Sequence, residues 1–243
     1  MRIRRLVQQI DEQHRDAMRT IDDDLGELHL GTRTPGVAES RRRFVRRLGV
    51  GGAVALGSTA VPAAVLAPGA AAQGGAGELD IPANDLVILE FARGLELAAE
   101  AAYQVAVDTL LLSSMMAELS RTFGRHHHEH ALALATLAGQ DEGEVGEPNA
   151  AVVDALAPRI EQSQTENEVL QVLFEIEQGA AATYAEALGV LESQATAGPA
   201  ASILPVESQH AVAIGSVLEL PVEDWMPAFQ TTEGAFDPAT YTG

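Results

Sequence analysis

The chain has 243 residues, a formal net charge of −20, no cysteine and no lysine, so that all fifteen basic residues are arginine. Disulfides, thiol nucleophiles and cysteine metal ligation are thereby excluded, and the acidic balance argues against nucleic acid or an anionic membrane surface as partner. The charge is divided unevenly: residues 1–72 hold eleven arginines against eight acids, a balance of +3, whereas residues 73–243 hold four arginines against twenty-seven acids, a balance of −23.

The basic part opens with residues 1–39, whose stretch from Leu6 to Leu30 mixes acidic and basic residues with weak periodicity and carries nothing that reads as catalytic. There follow Ser40-Arg41-Arg42-Arg43-Phe44-Val45-Arg46, an apolar run from Leu48 to Ala67 interrupted by Gly49, Gly51, Gly52, Gly57 and Pro62, and then Ala70-Ala71-Ala72. This order resembles a twin-arginine translocation signal, with Arg41 and Arg42 as the arginine pair and cleavage after Ala72 leaving Gln73 as the new N-terminus. The resemblance implies the twin-arginine translocation machinery as a partner. It also implies export to the periplasm, cell envelope or exterior, on a route associated with proteins that fold and take up cofactors before crossing. A run of about 20 apolar residues would also span a bilayer; the Gly, Ala and Pro content and the cleavage pattern favour export over an anchor.

Residues 73–81 read as a linker, and from there the sequence predicts helix almost throughout, because alanine is abundant and period-two alternation is nowhere sustained. Helix one is expected after Pro82, capped by Asn84 or Asp85, and running to about Leu112 with Leu86, Leu89, Ala92, Ala99, Tyr103, Ala106 and Leu110 on its apolar spine. Glu96 falls inside that spine. Helix two is expected from Ser113 or Ser114 to Gly139, with Leu119, Phe123, Leu134 and Leu137 facing the core and His127 and His130 in the same stripe. Residues 140–165 are acidic and carry Gly143, Gly146, Pro148 and Pro158, with a short helical piece over Ala150–Leu156. They are longer than a hairpin requires and so suit a connection across the bundle from end to end.

Helix three is expected over Glu166–Gln194, with Leu170, Leu173, Phe174, Ala181, Tyr184, Leu188 and Leu191 at core spacing and Glu177 between them. Helix four is expected to start after Gly198-Pro199, with Pro in the first turn, and to reach Leu218 along Ile203, Val206, His210, Ile214 and Val217, Glu207 lying beside His210. Residues 221–243 read as an extended tail whose Trp225, Phe229, Phe236 and Tyr241 cover the bundle. The chain also repeats weakly: Leu95-Glu96 with Tyr103 matches Ile176-Glu177 with Tyr184, and each is followed by a helix bearing a histidine pair or a Glu-x-x-His.

A carboxylate or imidazole in a core stripe is costly unless compensated, and four stripes make the same exception, at Glu96, at His127 with His130, at Glu177, and at Glu207 with His210. Residues three apart on a helix share a face. A Glu from each of two helices plus a Glu-x-x-His from each of the other two builds a dinuclear carboxylate site, and iron and manganese suit such mixed oxygen and nitrogen ligands. Tyr103 and Tyr184 lie about 10 Å along the axis from their own glutamates and read as core residues with buried hydroxyls rather than redox relays. His126 and His128 read as surface residues.

On Leu95-Glu96 with Tyr103, Arg125-His126-His127-His128-Glu129-His130, Glu177 with Tyr184, and Glu207-Ser208-Gln209-His210, the chain resembles the ferritin-like superfamily over roughly residues 80–220, in particular its exported bacterial members. The resemblance implies an all-α antiparallel four-helix bundle over residues 82–220. It implies Glu96 and Glu177 as single-carboxylate ligands, Glu207 with His210 as the ligand pair of the last helix, and His130 as the histidine of helix two. The chain departs from the pattern at His127, where the family carries glutamate. An imidazole cannot bridge two ions as a carboxylate does, Glu129 points about 100° away from His130, and Glu100 is a candidate for the missing ligand. A rearranged dinuclear site, a mononuclear site and a lost site all remain open at this level, and iron oxidation, peroxide removal and metal handling draw on the same ligands. The rival reading is a metal-free structural or stress-protective bundle of the cell envelope whose core polar groups pair among themselves. Oligomeric state is not legible.

Overall fold

The computed structural model describes residues 81–140 and 144–241, together with Glu12 and Arg15. The expectations for Arg41, Arg42, cleavage after Ala72, the rest of the N-terminal extension and nearly all of the linker lie outside the described residues. Six helices follow in order: α1 Ala83–Asp108, α2 Ser114–Leu137, α3 Ala150–Glu161, α4 Glu166–Val190, α5 Gln194–Val217 and α6 Val222–Trp225, with no strand among the described residues. The four long helices form the expected all-α, ferritin-like bundle. No helix among the described residues is long and apolar enough to cross a membrane.

The pairings across the bundle define its topology. Glu96 of α1 meets His127 and His130 of α2, and Glu177 of α4 meets His210 of α5, so each pair is an antiparallel hairpin. Tyr103 bonds Glu177 while Tyr184 bonds Glu96, which runs α1 antiparallel to α4. Helices α2 and α4 are then parallel, and the connection between them has to travel the length of the bundle, as its length suggested. Helix α3 lies in this connection. It is longer than expected, continuing through Pro158 to Glu161, and it buries Val152, Leu156 and Ile160. Asn149 caps it by accepting the Val152 N–H at 3.1 Å and donates its own N–H to the Gly94 carbonyl at 2.9 Å, which ties the crossover to α1.

Several helix ends differ from expectation for identifiable reasons. Asp85 does not cap α1, whose N-cap is Pro82. It is buried, and its carboxylate accepts the N–H groups of Glu192 and Ser193, each at 2.9 Å, and the Thr196 hydroxyl at 2.5 Å. It thus satisfies donors that the start of α5 would otherwise leave unpaired. Helix α5 begins at Gln194, before Gly198, and carries Pro199 and Pro205 in its interior. Each proline removes one i→i−4 hydrogen bond, which burial of Ile203, Val206, Ile214 and their neighbours offsets. Helix α1 stops at Asp108, and Leu110, expected on the apolar spine, takes φ 58° and is 88% exposed. Helix α4 opens with a capping box, Thr165 accepting the Glu168 N–H while Glu168 accepts the Thr165 N–H.

The core has two apolar clusters along the bundle axis. One gathers Ala98, Tyr103, Leu119, Phe123, Leu173 and Ile214 among others; the other gathers Leu89, Leu134, Leu137, Tyr184 and Ile203. On each long helix the expected polar residues fall between these clusters. The tail packs as expected at three of its four aromatics. Trp225 sits over Gly215, where a Cβ would come within 2.6 Å of it, and Phe236 sits over Gly179, where a Cβ would come within 2.7 Å of its ring. Both contacts require glycine because the backbone approaches too closely for any side chain. Phe229 is the exception, at 81% exposed.

Candidate metal centre

Glu96, His127, His130, Glu177, Glu207 and His210 converge in the middle of the bundle, and none is more than 3% exposed. His127 Nδ1 lies 2.7 Å from Glu96 Oε2, and its Nε2 lies 3.2 Å from Glu177 Oε1, so one imidazole spans from α1 to α4. His130 Nδ1 faces Glu207 Oε1 at 2.9 Å and Glu96 Oε2 at 3.4 Å. His210 Nδ1 faces Glu177 Oε2 at 3.2 Å and Glu207 Oε2 at 3.5 Å.

These atoms form two overlapping groups: Glu96, His127, His130 and Glu207, and then His127, Glu177, Glu207 and His210. Within each group one donor atom per residue lies within 4.8 Å of every other. Donors on opposite sides of an ion with bonds of about 2.1 Å stand about 4.2 Å apart, so each group is near the span that a common ion requires. His127 and Glu207 belong to both groups. The position expected of a bridging glutamate on α2 is therefore occupied by an imidazole whose two nitrogens face opposite ends of the cluster.

Glu207 supplies the sharpest test of fit. It is fully buried, and its carboxylate lies among three imidazoles, Oε1 at 2.9 Å from His130 Nδ1 and Oε2 at 3.5 Å from His210 Nδ1 and 3.8 Å from His127 Nδ1, yet neither oxygen has a partner of hydrogen-bond geometry. Ion pairs alone leave the lone pairs of this buried carboxylate without directed donors, a costly arrangement that a shared cation would relieve. The mixed carboxylate and imidazole donors fit iron or manganese, which would supply one-electron redox chemistry there.

Electrostatics within the cluster favour charged partners. Burial pushes the Glu96 carboxyl up, but His130 and His127 beside it outweigh that and hold it at about 2. Burial pushes His130 down, and the carboxylates of Glu96 and Glu207 lift it to about 9. Glu177 is likewise held well below the ordinary carboxylate range, burial being outweighed by His210 and His127. His127 and His210 are raised against burial by Glu207 and Glu177. Without metal, the cluster is a set of buried ion pairs.

The tyrosines do more than expected. Tyr103 donates to Glu177, and Tyr184 donates to Glu96 Oε1 at 2.5 Å, each reaching the glutamate of the opposite helix rather than its own. Burial first, and then these carboxylates, raise both phenols well above their ordinary value, so both remain proton donors that orient the glutamates.

Two further expectations are corrected. Glu100 is not brought into the cluster: one turn further along α1 it comes level with His128, at 3.0 Å, and the two side chains are 38% and 40% exposed. His126, expected at the surface, is completely buried, and its Nδ1 lies 2.9 Å from His210 Nε2. The signal for it was present in the spacing, since Leu119, Phe123, His126, His130, Leu134 and Leu137 advance by three or four residues throughout. A cavity of about 20 Å³ adjoins Glu96 and His127, walled by α1, α3, α4 and by Phe236 of the tail.

Residues 84–220, more than half of the chain, match the family model described as a ferritin-like domain. No curated protein and no solved structure matches the chain.

Proposed function

On the premise that the chain belongs to the ferritin-like domain family, we propose that it is an exported protein that binds two iron or manganese ions in its bundle core and handles them oxidatively. The observation that carries this reading is the fully buried Glu207 carboxylate, shared by two ligand groups and satisfied by no directed hydrogen bond. One ion would be held by Glu96 and His130 and the other by Glu177 and His210, with Glu207 between them and His127 against both. Tyr103 and Tyr184 would fix the terminal glutamates, and the apolar clusters on either side would exclude bulk water.

The adjoining cavity has room for about one water-sized molecule beside Glu96 and His127, and a small oxidant such as peroxide would enter it with a shift of the walls. In the balanced reaction, two ferrous ions each give up one electron to one hydrogen peroxide, which takes two protons and leaves as two waters. Export rests on the likeness of residues 40–72 to a twin-arginine signal; replacing Arg41 and Arg42 by Lys would then retain the protein in the cytoplasm with Ala72-Gln73 uncleaved.

A second reading, a metal-free structural bundle, is favoured by the contacts of 2.7–3.2 Å that His127 makes with Glu96 and Glu177. It leaves the Glu207 carboxylate without a directed partner. Metal analysis of protein taken from its natural compartment without chelators separates the two: close to two iron or manganese ions per chain supports the proposal, and near-zero content of both overturns it.

A further inference from the structure

One ligand histidine, His210, has a second histidine directly behind it. The ring of His210 is held on three sides. Its Nδ1 faces Glu177 and Glu207, its face lies against Phe123 with ring centroids 3.8 Å apart and planes 24° apart, and its Nε2 lies 2.9 Å from His126 Nδ1. The His126 and His210 planes are only 23° apart, so an N–H of one ring points along the lone pair of the other. Helix α2 places Phe123, His126, His127 and His130 at spacings of three, four and seven from Phe123, one face of a helix.

The direction of the bond between the two histidines has a chemical consequence. If His210 Nε2–H donates to His126 Nδ1, the Nδ1 lone pair of a neutral His210 is directed toward Glu177 and Glu207, where an ion would sit. If His126 donated instead, His210 would carry its proton on Nδ1 and could not ligate from there. A ligating histidine whose other nitrogen is fixed in this way is held in both tautomer and orientation. The repeat that pairs His127 with Glu207 and His130 with His210, eighty residues apart, pairs His126 with Val206, which has no side-chain hydrogen-bonding group.

We propose that His126 is a positioning residue for His210: it accepts the His210 Nε2–H, fixes the ring's tautomer, and presents His210 Nδ1 to the ion at the locus of Glu177 and His210. This rests on the metal-binding reading above, and concerns which nitrogen of His210 ligates and what fixes it.

The test is an anaerobic titration of the chelator-stripped full chain with manganese(II) alone, free ion being read by electron paramagnetic resonance. The wild-type chain is expected to bind in two steps. His126→Leu is expected to weaken one step by roughly 10- to 100-fold, and His126→Asn, whose Oδ1 can stand where Nδ1 stood, to return to within a few-fold of wild type. A Leu variant that binds both ions as tightly as wild type overturns the inference, and so does an Asn variant as weak as Leu, which would mark a packing role. On a Glu177→Ala background, adding His126→Leu is expected to leave the remaining step unchanged, and further weakening of it overturns the assignment to that locus. In zinc-loaded wild-type protein, nitrogen NMR should find His210 protonated on Nε2 and ligating through Nδ1; the reverse tautomer overturns the inference without any substitution. Wild-type chain that binds no manganese would remove the metal-binding reading first, and this inference with it.

Discussion

The two helix pairs, α1 with α2 and α4 with α5, carry the same plan and differ where the site is made. Both supply a buried glutamate and a tyrosine seven residues later, and each tyrosine crosses to hold the other pair's glutamate. Both place a histidine on the second helix of the pair. Three residues before it, however, one pair has His127 and the other Glu207, and the residue before that is His126 in one and Val206 in the other. The scaffold is therefore duplicated while the ligand sphere is not. A single substitution of imidazole for carboxylate removes a negative charge from the centre and gives α1 and α4 a direct link through one ring.

The largest expected effect comes from Glu207, one of the two residues that both ligand groups share. Glu207→Gln should abolish binding of both ions in a metal titration, and it should also lower the melting temperature of the metal-free protein, because His130, His210 and His127 lose a shared buried counter-charge. Glu177→Ala should act on one half: one ion is lost, and the metal-free protein loses roughly 3–5 kcal/mol in denaturant unfolding, because His210, His127 and the Tyr103 hydroxyl lose a buried charged partner.

How much of this was legible beforehand differs between fold and site. The four long helices followed from their apolar spacing, and Glu96, Glu177, Glu207, His127, His130 and His210 stood out as polar exceptions within it. What periodicity could not supply was register between helices. Along one helix Tyr103 and Tyr184 stand about 10 Å from their own glutamates, yet the antiparallel crossing brings the opposite glutamate beside each. Glu100 shares a face with Glu96, but one turn of rise carries it out to His128. His126 belongs to the same stripe of α2 as Leu119, Phe123, His130, Leu134 and Leu137, and its contact with His210 depends on how α2 and α5 meet. Asp85 resembled a local cap, and its true partners lie more than a hundred residues away.

Acidity provides a subtler contrast between the two states of the site. In the metal-free protein Glu96 is lowered from 4.5 to about 2, so its stabilising contribution is present above 4.5 and is lost as pH falls toward 2. His130 is raised from 6.5 to about 9, so its contribution is complete below 6.5 and is lost as pH rises through 9. Thermal melts of the metal-free protein should therefore peak between about 4.5 and 6.5 as far as these two groups are concerned. Metal affinity should rise across the upper range, because ligation requires deprotonated imidazole. The smallest effect is expected from Tyr184→Phe, which removes the hydroxyl that orients Glu96: about 1–2 kcal/mol of unfolding free energy, with both ions still bound. Tyr103→Phe should match it, and a much larger loss in one than the other would show that the two halves differ in their tyrosines as well.

The central claim is that the duplicated bundle holds a pair of ions at an unequal cluster. Anomalous diffraction from crystals of the wild-type protein loaded with iron or manganese tests it most directly. Two peaks about 3.5–4 Å apart, one beside Glu96 and His130 and the other beside Glu177 and His210, are the predicted result. A loaded crystal with no anomalous density among these six residues, and their ion pairs unchanged, would contradict it.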